Sequence, residues 1–519
     1  MSDWSDGYVT DVQYTSGFYR ELAPSYLAFT CLLRGVQPPQ CGPGARYLEL
    51  GCGQGFSTNL LAAANPEMDF LGVDFMPGQI ANARRLATEA GLRNVSFEDY
   101  SFEHMAQIAP DRLEPFDFIV LHGILSWISD ENRGHIVRIL DRFLKPGGVA
   151  YVSYNCLPGW APLAPIQHYL REYSLRFPGQ PVEQAAKGLA DAKVLAAGGG
   201  AFFAQNPHVR KRIEAVELQN PSYLVHEYLH AHWRAFHHAD LARELNAARL
   251  DFVGSATLAE NFVELSVPDN LIEKVRSAGD AAWRETLLDY AGFKHFRRDI
   301  YVRGASPLVP PARKRMLDAT RFALTAPAAE VGLRFKTPMG DVDGIESLYR
   351  PIVGLLSEAS ATFREIVQLP ALAGATAAAM EQAVALLVGA QQVAPLDGGA
   401  RDEGPAQRFN AVVAGRIEDG ETLGYLASPR TGNGVRVSTA DLLGHVALLR
   451  GVSDLETVVE FSGLVLERAG RRLMKDGKAL EAGAETESEL RQQLHRYFEQ
   501  RAKLYRGLGV LPEANVLNL

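Results

Sequence analysis

Cysteine is scarce in this chain of 519 residues: there are four, Cys31, Cys41, Cys52 and Cys156, and no Cys-x-x-Cys pair. So few and scattered a set excludes a disulfide framework and argues against a zinc ribbon or a thioredoxin-type site. No uninterrupted apolar run reaches the roughly 18 residues a spanning helix needs, so no membrane segment is expected. Met1 to Gly7 lacks the basic stretch and apolar core of a secretory signal, and the expected location is the cytoplasm. Positive charge is in deficit too. Lys and Arg number 52 against 61 Asp and Glu, a formal charge of -9, which argues against nucleic acid as a partner. The basic clusters Arg210-Lys211-Arg212, Arg297-Arg298 and Arg313-Lys314-Arg315 read as solvated helix faces or strand ends. What remains is ordinary globular composition, 47% hydrophobic and 22% charged, at a length that suggests roughly three to four domains.

The first forty residues are rich in aromatics: Tyr8, Tyr14, Phe18, Tyr19 and Tyr26. With Gly7 and Gly17 as pivots, residues 1–40 are expected to form a lid that excludes water from a site below. Strands and helices then alternate. Strands are expected at Ala45–Leu50, Phe70–Asp74, Val95–Phe97, Asp117–Leu121 and Val149–Tyr154, with helices at Gln79–Ala90 and Asn132–Phe143. That alternation implies an α/β, doubly wound, Rossmann-like parallel sheet over 41–158. Residues 159–236 read as a helical insertion. The strands Asp251–Leu258 and Arg297–Arg303 return to complete the sheet within 237–305. The prolines of 306–311 read as a linker. Residues 312–519 read as a mainly helical C-terminal region with a loose stretch at Asp397–Gln407. A hairpin signal around Asn433-Gly434 there suggests a winged-helix-like unit.

The chemistry concentrates at the first strand's end, in Glu49-Leu50-Gly51-Cys52-Gly53-Gln54-Gly55. Glycines there permit a sharp turn and close approach of a ligand, next to the unpaired amides of a helix start. Asp74, followed by Phe75, ends the second strand, where a carboxylate can accept from both ribose hydroxyls. The dinucleotide pattern G-x-G-x-x-G is not met, because Phe56 stands where its third glycine belongs. Glu49 would repel a pyrophosphate and attract an ammonium, so the pattern fits S-adenosylmethionine. The expected cofactor contacts are Glu49, Gly51, Gly53, Gly55, Asp74, Phe75, Ser101, Phe102 and His122, the last at the end of the fourth strand.

These motifs resemble class I S-adenosylmethionine-dependent methyltransferases. The segments Tyr8–Val12, Tyr14–Tyr19, Ser153–Trp160 and His226–Leu229 are similar to the family that also carries a methyltransferase regulatory domain. The resemblance covers roughly residues 8 to 304. It implies transfer of a methyl group, and the family includes bacterial lysine methyltransferases acting on outer-membrane proteins. His226-Glu227-Tyr228-Leu229-His230 also satisfies the H-E-x-x-H pattern of zinc proteases. Because the motif is short and a cofactor pattern already stands elsewhere, no metal is expected.

A sulfonium is an activated leaving group, so alignment and desolvation should do most of the work of an in-line displacement. A lysine acceptor, with an ordinary pKa near 10.4, must reach the methyl group neutral. Tyr14, His122, Trp127, Tyr154 and Asn155 are the candidates for walls and acceptors of that catalytic pocket. The expected partner is a protein or small-molecule methyl acceptor. A small-molecule or RNA methyltransferase and a non-catalytic scaffold remain the alternatives, and a homodimer stays open.

Overall fold

The computed structural model describes residues 17–216, 221–396, 401–475, 478–481 and 483–513. Seven strands form one sheet: β1 (Arg46–Leu50), β2 (Asp69–Val73), β3 (Val95–Glu98), β4 (Phe116–Leu121), β5 (Leu144–Asn155), β6 (Leu250–Ser255) and β7 (Phe296–Arg303). Their order is β3-β2-β1-β4-β5-β7-β6, parallel except for β7, which runs antiparallel to both neighbours. The order reverses between β1 and β4, and the crevice beyond their carboxyl ends is where such a sheet accepts a ligand. The central strand β4 is a nearly continuous apolar run and almost wholly buried, because helices cover both faces of the sheet.

Those helices are α1 (Pro24–Leu33), α2 (Phe56–Ala64), α3 (Pro77–Glu89), α4 (Phe102–Gln107) and α5 (Asp130–Phe143). The side chain of Ser101 caps α4 and that of Ser129 caps α5, each accepting a backbone N–H three residues on. The insertion between β5 and β6 is helical throughout its described part. It comprises α6 (Ala164–Arg176), α7 (Pro181–Ala197), α8 (Ala201–Gln205), α9 (Pro207–Val216) and α10 (Pro221–Tyr228). Then α11 (His238–Asn246) leads into β6, and α12 (Asp269–Arg276) and α13 (Ala281–Ala291) lead into β7.

Several local expectations need correcting. β5 begins at Leu144 instead of Val149, because Leu144 pairs with Phe116 and the register then shifts through Pro146-Gly147-Gly148. β6 stops at Ser255, whose N–H donates to the Asn261 side chain of the turn that follows. Part of the stretch expected to be loose is the start of the helix Gly404–Gly415, and residues 397–400 lie outside the described residues. Arg297 is no solvated strand end. It is 2% exposed and sits in a buried cluster with Glu285, Asp289 and Asp299.

Pairing also occurs next to the prolines at 307, 310 and 311, where Gln37 N–H donates to Ser306 O and Leu308 N–H to Gly35 O. Beyond them, the three strands Arg321–Leu324, Ala361–Thr362 and Val393–Leu396 form a small antiparallel sheet with helices about it. The hairpin is Tyr425–Ser428 with Asn433–Arg436. Its tip reaches back to the first domain. Asn65 Nδ2 donates to Gly432 O at 3.0 Å, Ser25 Oγ to Thr431 O at 2.8 Å, and Asn433 Nδ2 to Arg20 O at 3.1 Å. Phe18 lies against Tyr425, ring centres 5.0 Å apart. The C-terminal region therefore clamps residues 18–25 against the start of the sheet domain.

Candidate active site

The turn after β1 has left-handed backbone at Gly51, Gly53 and Gly55. A Cβ at Gly51 would collide with Ile124 Cδ1, and one at Gly55 would stand 2.9 Å from the Phe97 ring. Only glycine permits both that conformation and that closeness. Asp74 holds the turn from the neighbouring strand: its Oδ2 accepts from Gly53 N–H at 2.9 Å and its Oδ1 from Met76 N–H at 3.0 Å. Phe75 N–H is a third backbone donor to this carboxylate, which leaves about one acceptor site for another donor.

Two adjoining cavities open here. One is lined by Asp74, Phe75, Met76, Tyr100, Ser101, Phe102, Trp127 and neighbours; the other by Gly17, Tyr19, Glu49, Gly53, Ser57 and His122 among others. They share Gly51, Asp74, Gln79, Gly123 and Ile124. A larger cavity between Arg46, Asp69, Arg93 and Phe116 shares Tyr100 with the first but includes neither the glycine turn nor Glu49 nor Asp74. Among the described residues, the two site cavities are lined by Glu49 and Asp74 and by no lysine or arginine.

Burial pushes the Glu49 carboxyl up to about 7; a hydrogen bond from Thr58 opposes the shift and the Asp74 charge adds to it. Burial also raises Asp74, against the three backbone amides that favour its charged form. Nothing cationic in either wall stabilises these two charges, so the site suits a ligand that brings positive charge. S-adenosylmethionine fits on this ground, with an ammonium and a sulfonium and no phosphate. The residues that would hold it are Glu49 toward the ammonium, Asp74 toward the ribose diol, and Tyr100 and Phe102 beside the base.

At the acceptor end, Tyr19 stacks on His122 with ring centres 3.6 Å apart. His122 Nδ1 shares a 2.9 Å hydrogen bond with the Tyr151 hydroxyl. Burial, reinforced by the nearby Arg298 charge, lowers His122 to about 3, so the imidazole is neutral. Gly17 O accepts from Ser57 Oγ at 3.2 Å, which lays the chain before Tyr19 across the start of α2.

Of the residues proposed from sequence, Glu49, Gly51, Gly53, Asp74, Phe75, Ser101, Phe102, His122 and Trp127 line these cavities. Gly55 shapes the turn beneath them. Tyr8 and Tyr14 lie outside the described residues. Tyr154 does not reach the cavities. β5 alternates, Tyr151 and Ser153 facing the site while Tyr154 faces the other side, where its hydroxyl donates to Asp299 Oδ2 at 2.7 Å. Asn155 is also absent from the linings. Its Nδ2 donates to Glu227 Oε1 at 2.7 Å, so the glutamate of the H-E-x-x-H segment is a structural partner of the strand end. Among the described residues no group of three or more His, Cys, Asp or Glu could hold a metal, and no helix is long and apolar enough to cross a membrane.

Sequence reasoning overlooked Tyr151 and Ser153, although period-two alternation from Tyr154 would have put them on the opposite face. It singled out Tyr19 as a lid aromatic without pairing it to His122. That contact depends on the C-terminal clamp and had no local signal.

Two family models match the chain: a methyltransferase domain over residues 42–196 and a predicted methyltransferase regulatory domain over residues 220–303. The uncharacterized protein sll1526 of Synechocystis sp. is 34% identical over 510 residues, 98% of this chain and 99% of its own length. The uncharacterized protein RP789 of Rickettsia prowazekii is 25% identical over 289 residues, 55% of this chain and 51% of its own. The solved structure of PKMT2 from Rickettsia typhi in complex with AdoHcy has the same fold. It matches with a TM-score of 0.68 at 18% identity, over 96% of this chain and 99% of that one. Together with its Synechocystis relative, the chain belongs to the family of S-adenosylmethionine-dependent methyltransferases that carry a methyltransferase regulatory domain.

Proposed function

We propose that this enzyme methylates lysine side chains of a protein acceptor in the cytoplasm. The observation that carries the reading is the cavity wall itself: a neutral imidazole and aromatic rings beside two carboxylates, with no lysine or arginine. A carboxylate-bearing acceptor would want a cation there; an amine does not. The whole-chain fold likeness to PKMT2 supports the same direction.

Bound S-adenosylmethionine supplies the activated methyl group. The chain's own residues do the rest by holding and orienting. Asp74 offers its remaining acceptor site to a ribose hydroxyl, and Glu49 faces the amino-acid end. With Nδ1–H of His122 donating to the Tyr151 oxygen, Nε2 is an acceptor for an amine N–H. It would turn the amine's lone pair toward the methyl carbon. An imidazole with a pKa of about 3 is too weak a base to take the lysine proton, so His122 positions the acceptor and the lysine gives its proton to bulk water before it enters the cavity. Tyr19 lies stacked on His122 in the cavity wall, where the ring pair would limit entry of water.

Transfer of labelled methyl groups into a cell lysate, fractionated by molecule class and followed by acid hydrolysis, tests the proposal. Methyl-lysine in the protein fraction is expected. Label confined to metabolites or RNA would overturn the acceptor assignment and leave methyl transfer standing. Cofactor binding with no transfer to any fraction would point to a scaffold.

A further inference from the structure

A fourth cavity, of about 340 Å³, lies where the sheet domain meets the C-terminal region. Five segments wall it: the turn at Arg20, Glu21 and Tyr26; residues 256–259 after β6; Arg298 of β7; the strand residues Arg334, Phe335 and Lys336; and residues 386–392. Its chemistry is the reverse of the cofactor cavities. Arg20, Arg298, Arg334 and Lys336 face a single carboxylate, Glu21. Arg334 is exposed and also paired with Asp341 at 3.1 Å.

Three of the lining side chains hold a buried polar atom with no hydrogen-bond partner: Arg20 Nε, Arg298 Nε and Gln392 Oε1. Native interiors seldom leave such atoms unmatched, and each instance asks for a reason. Arg20 already gives Nη1 and Nη2 to the carbonyls of Val388 and Gly389, which fixes it against the C-terminal region. Arg298 Nη1 makes a 3.3 Å contact to Thr257 Oγ1. Two guanidinium donors and an amide acceptor left over among the lining residues of one cavity suit a ligand with both anionic oxygens and an O–H.

We propose that this cavity binds a small oxyanion carrying a hydroxyl, of the hydrogen phosphate or phosphomonoester class. A chamber of this size walled by five segments of both halves suits a small molecule. The cluster of guanidinium and ammonium groups matches phosphate oxygens. The site adjoins the cofactor cavity along the chain. Arg20 faces the anion site while the adjacent Tyr19 stacks on His122, so the two cavities are separated by one turn of chain.

Calorimetric titration of the full-length protein with inorganic phosphate, at constant ionic strength in chloride, tests this. Saturable binding of one phosphate per chain is expected, at least tenfold weaker in the double variant Arg334→Ala/Lys336→Ala and absent in Arg298→Met. The double variant changes exposed side chains and keeps the test valid should Arg298→Met fail to fold. Sulfate, which has no O–H at neutral pH, should bind more weakly than phosphate, and glycerol phosphate at least as well. No saturable binding, or binding unchanged in the double variant, would overturn the proposal.

Discussion

Two places in the sheet domain bury carboxylates, and they treat them oppositely. Behind β7, Glu285, Asp289 and Asp299 surround the buried Arg297 at 2.5–2.9 Å, and Tyr154 and His238 complete the bonding around Asp299. Burial alone would raise Asp299, but Arg297, His238 and Tyr154 outweigh it and hold the carboxyl well below the usual range. At the carboxyl edge, Glu49 has a threonine hydroxyl and Asp74 has backbone amides, and neither has a cation. Glu49 accordingly sits near 7. Where buried charge serves the fold, the counter-charge is part of the chain. At the carboxyl edge, on the proposed reading, the counter-charge arrives with the ligand. The basic cavity at the C-terminal interface extends the rule with the signs exchanged.

The sharpest test of that contrast removes the internal cation. Arg297→Met should destabilise the protein by about 3–5 kcal/mol, because it leaves uncompensated buried carboxylates. Denaturant titration reads this, and a loss below about 1 kcal/mol would mean the cluster is not a structural ion network. Asp74→Ala should instead spare the fold and reduce affinity for S-adenosylhomocysteine. Each charge-assisted hydrogen bond lost is expected to contribute about 1.5–3 kcal/mol, roughly tenfold or more in affinity. Unchanged affinity in calorimetry would remove Asp74 from the site.

Glu49 makes a prediction in which stability and binding move in opposite directions. Its folded pKa, about 7, lies above the ordinary carboxyl value of 4.5. The folded state therefore holds more protons between those two values, and Glu49's contribution to stability falls as pH rises through that window. Affinity for S-adenosylhomocysteine should do the reverse, falling up to about tenfold per pH unit below 7 as the carboxylate is protonated. Binding at pH 6 should release protons, measurable by calorimetry in buffers of different ionisation enthalpy. A Glu49→Gln variant should lose this dependence.

The smallest expected effect separates the two faces of β5. Tyr154→Phe should cost about 1 kcal/mol in stability and leave S-adenosylhomocysteine affinity unchanged, since its hydroxyl bonds to Asp299 on the far side of the sheet. A large loss of affinity would return Tyr154 to the active site.

Most of the sheet was legible because its signals are local. Buried parallel strands are short apolar runs, glycines punctuate them, and Glu49 and Asp74 fall at strand ends whose place in the fold follows from the alternation. Strand ends at Leu144 and Ser255 were not legible, since pairing with Phe116 and the side chain of Asn261 decided them. Arg297 was misjudged because a charged residue's burial depends on partners 8 and 12 residues away, Asp289 and Glu285, meeting it in space. Tyr154 was misassigned because membership of a motif does not say which face of the strand a side chain takes.

The sequence by itself determined the class of fold and the identity of the cofactor, since each rests on residues next to one another along a strand and its turn. The tertiary structure alone decided which aromatic covers His122. Tyr19 reaches it because the hairpin at 425–436, more than four hundred residues later, grips the chain on either side of it. It decided in the same way that a basic cavity exists, by bringing Arg20, Arg298 and Arg334 together from three distant segments. Contacts of that kind depend on the packing of whole domains, which local propensity does not encode.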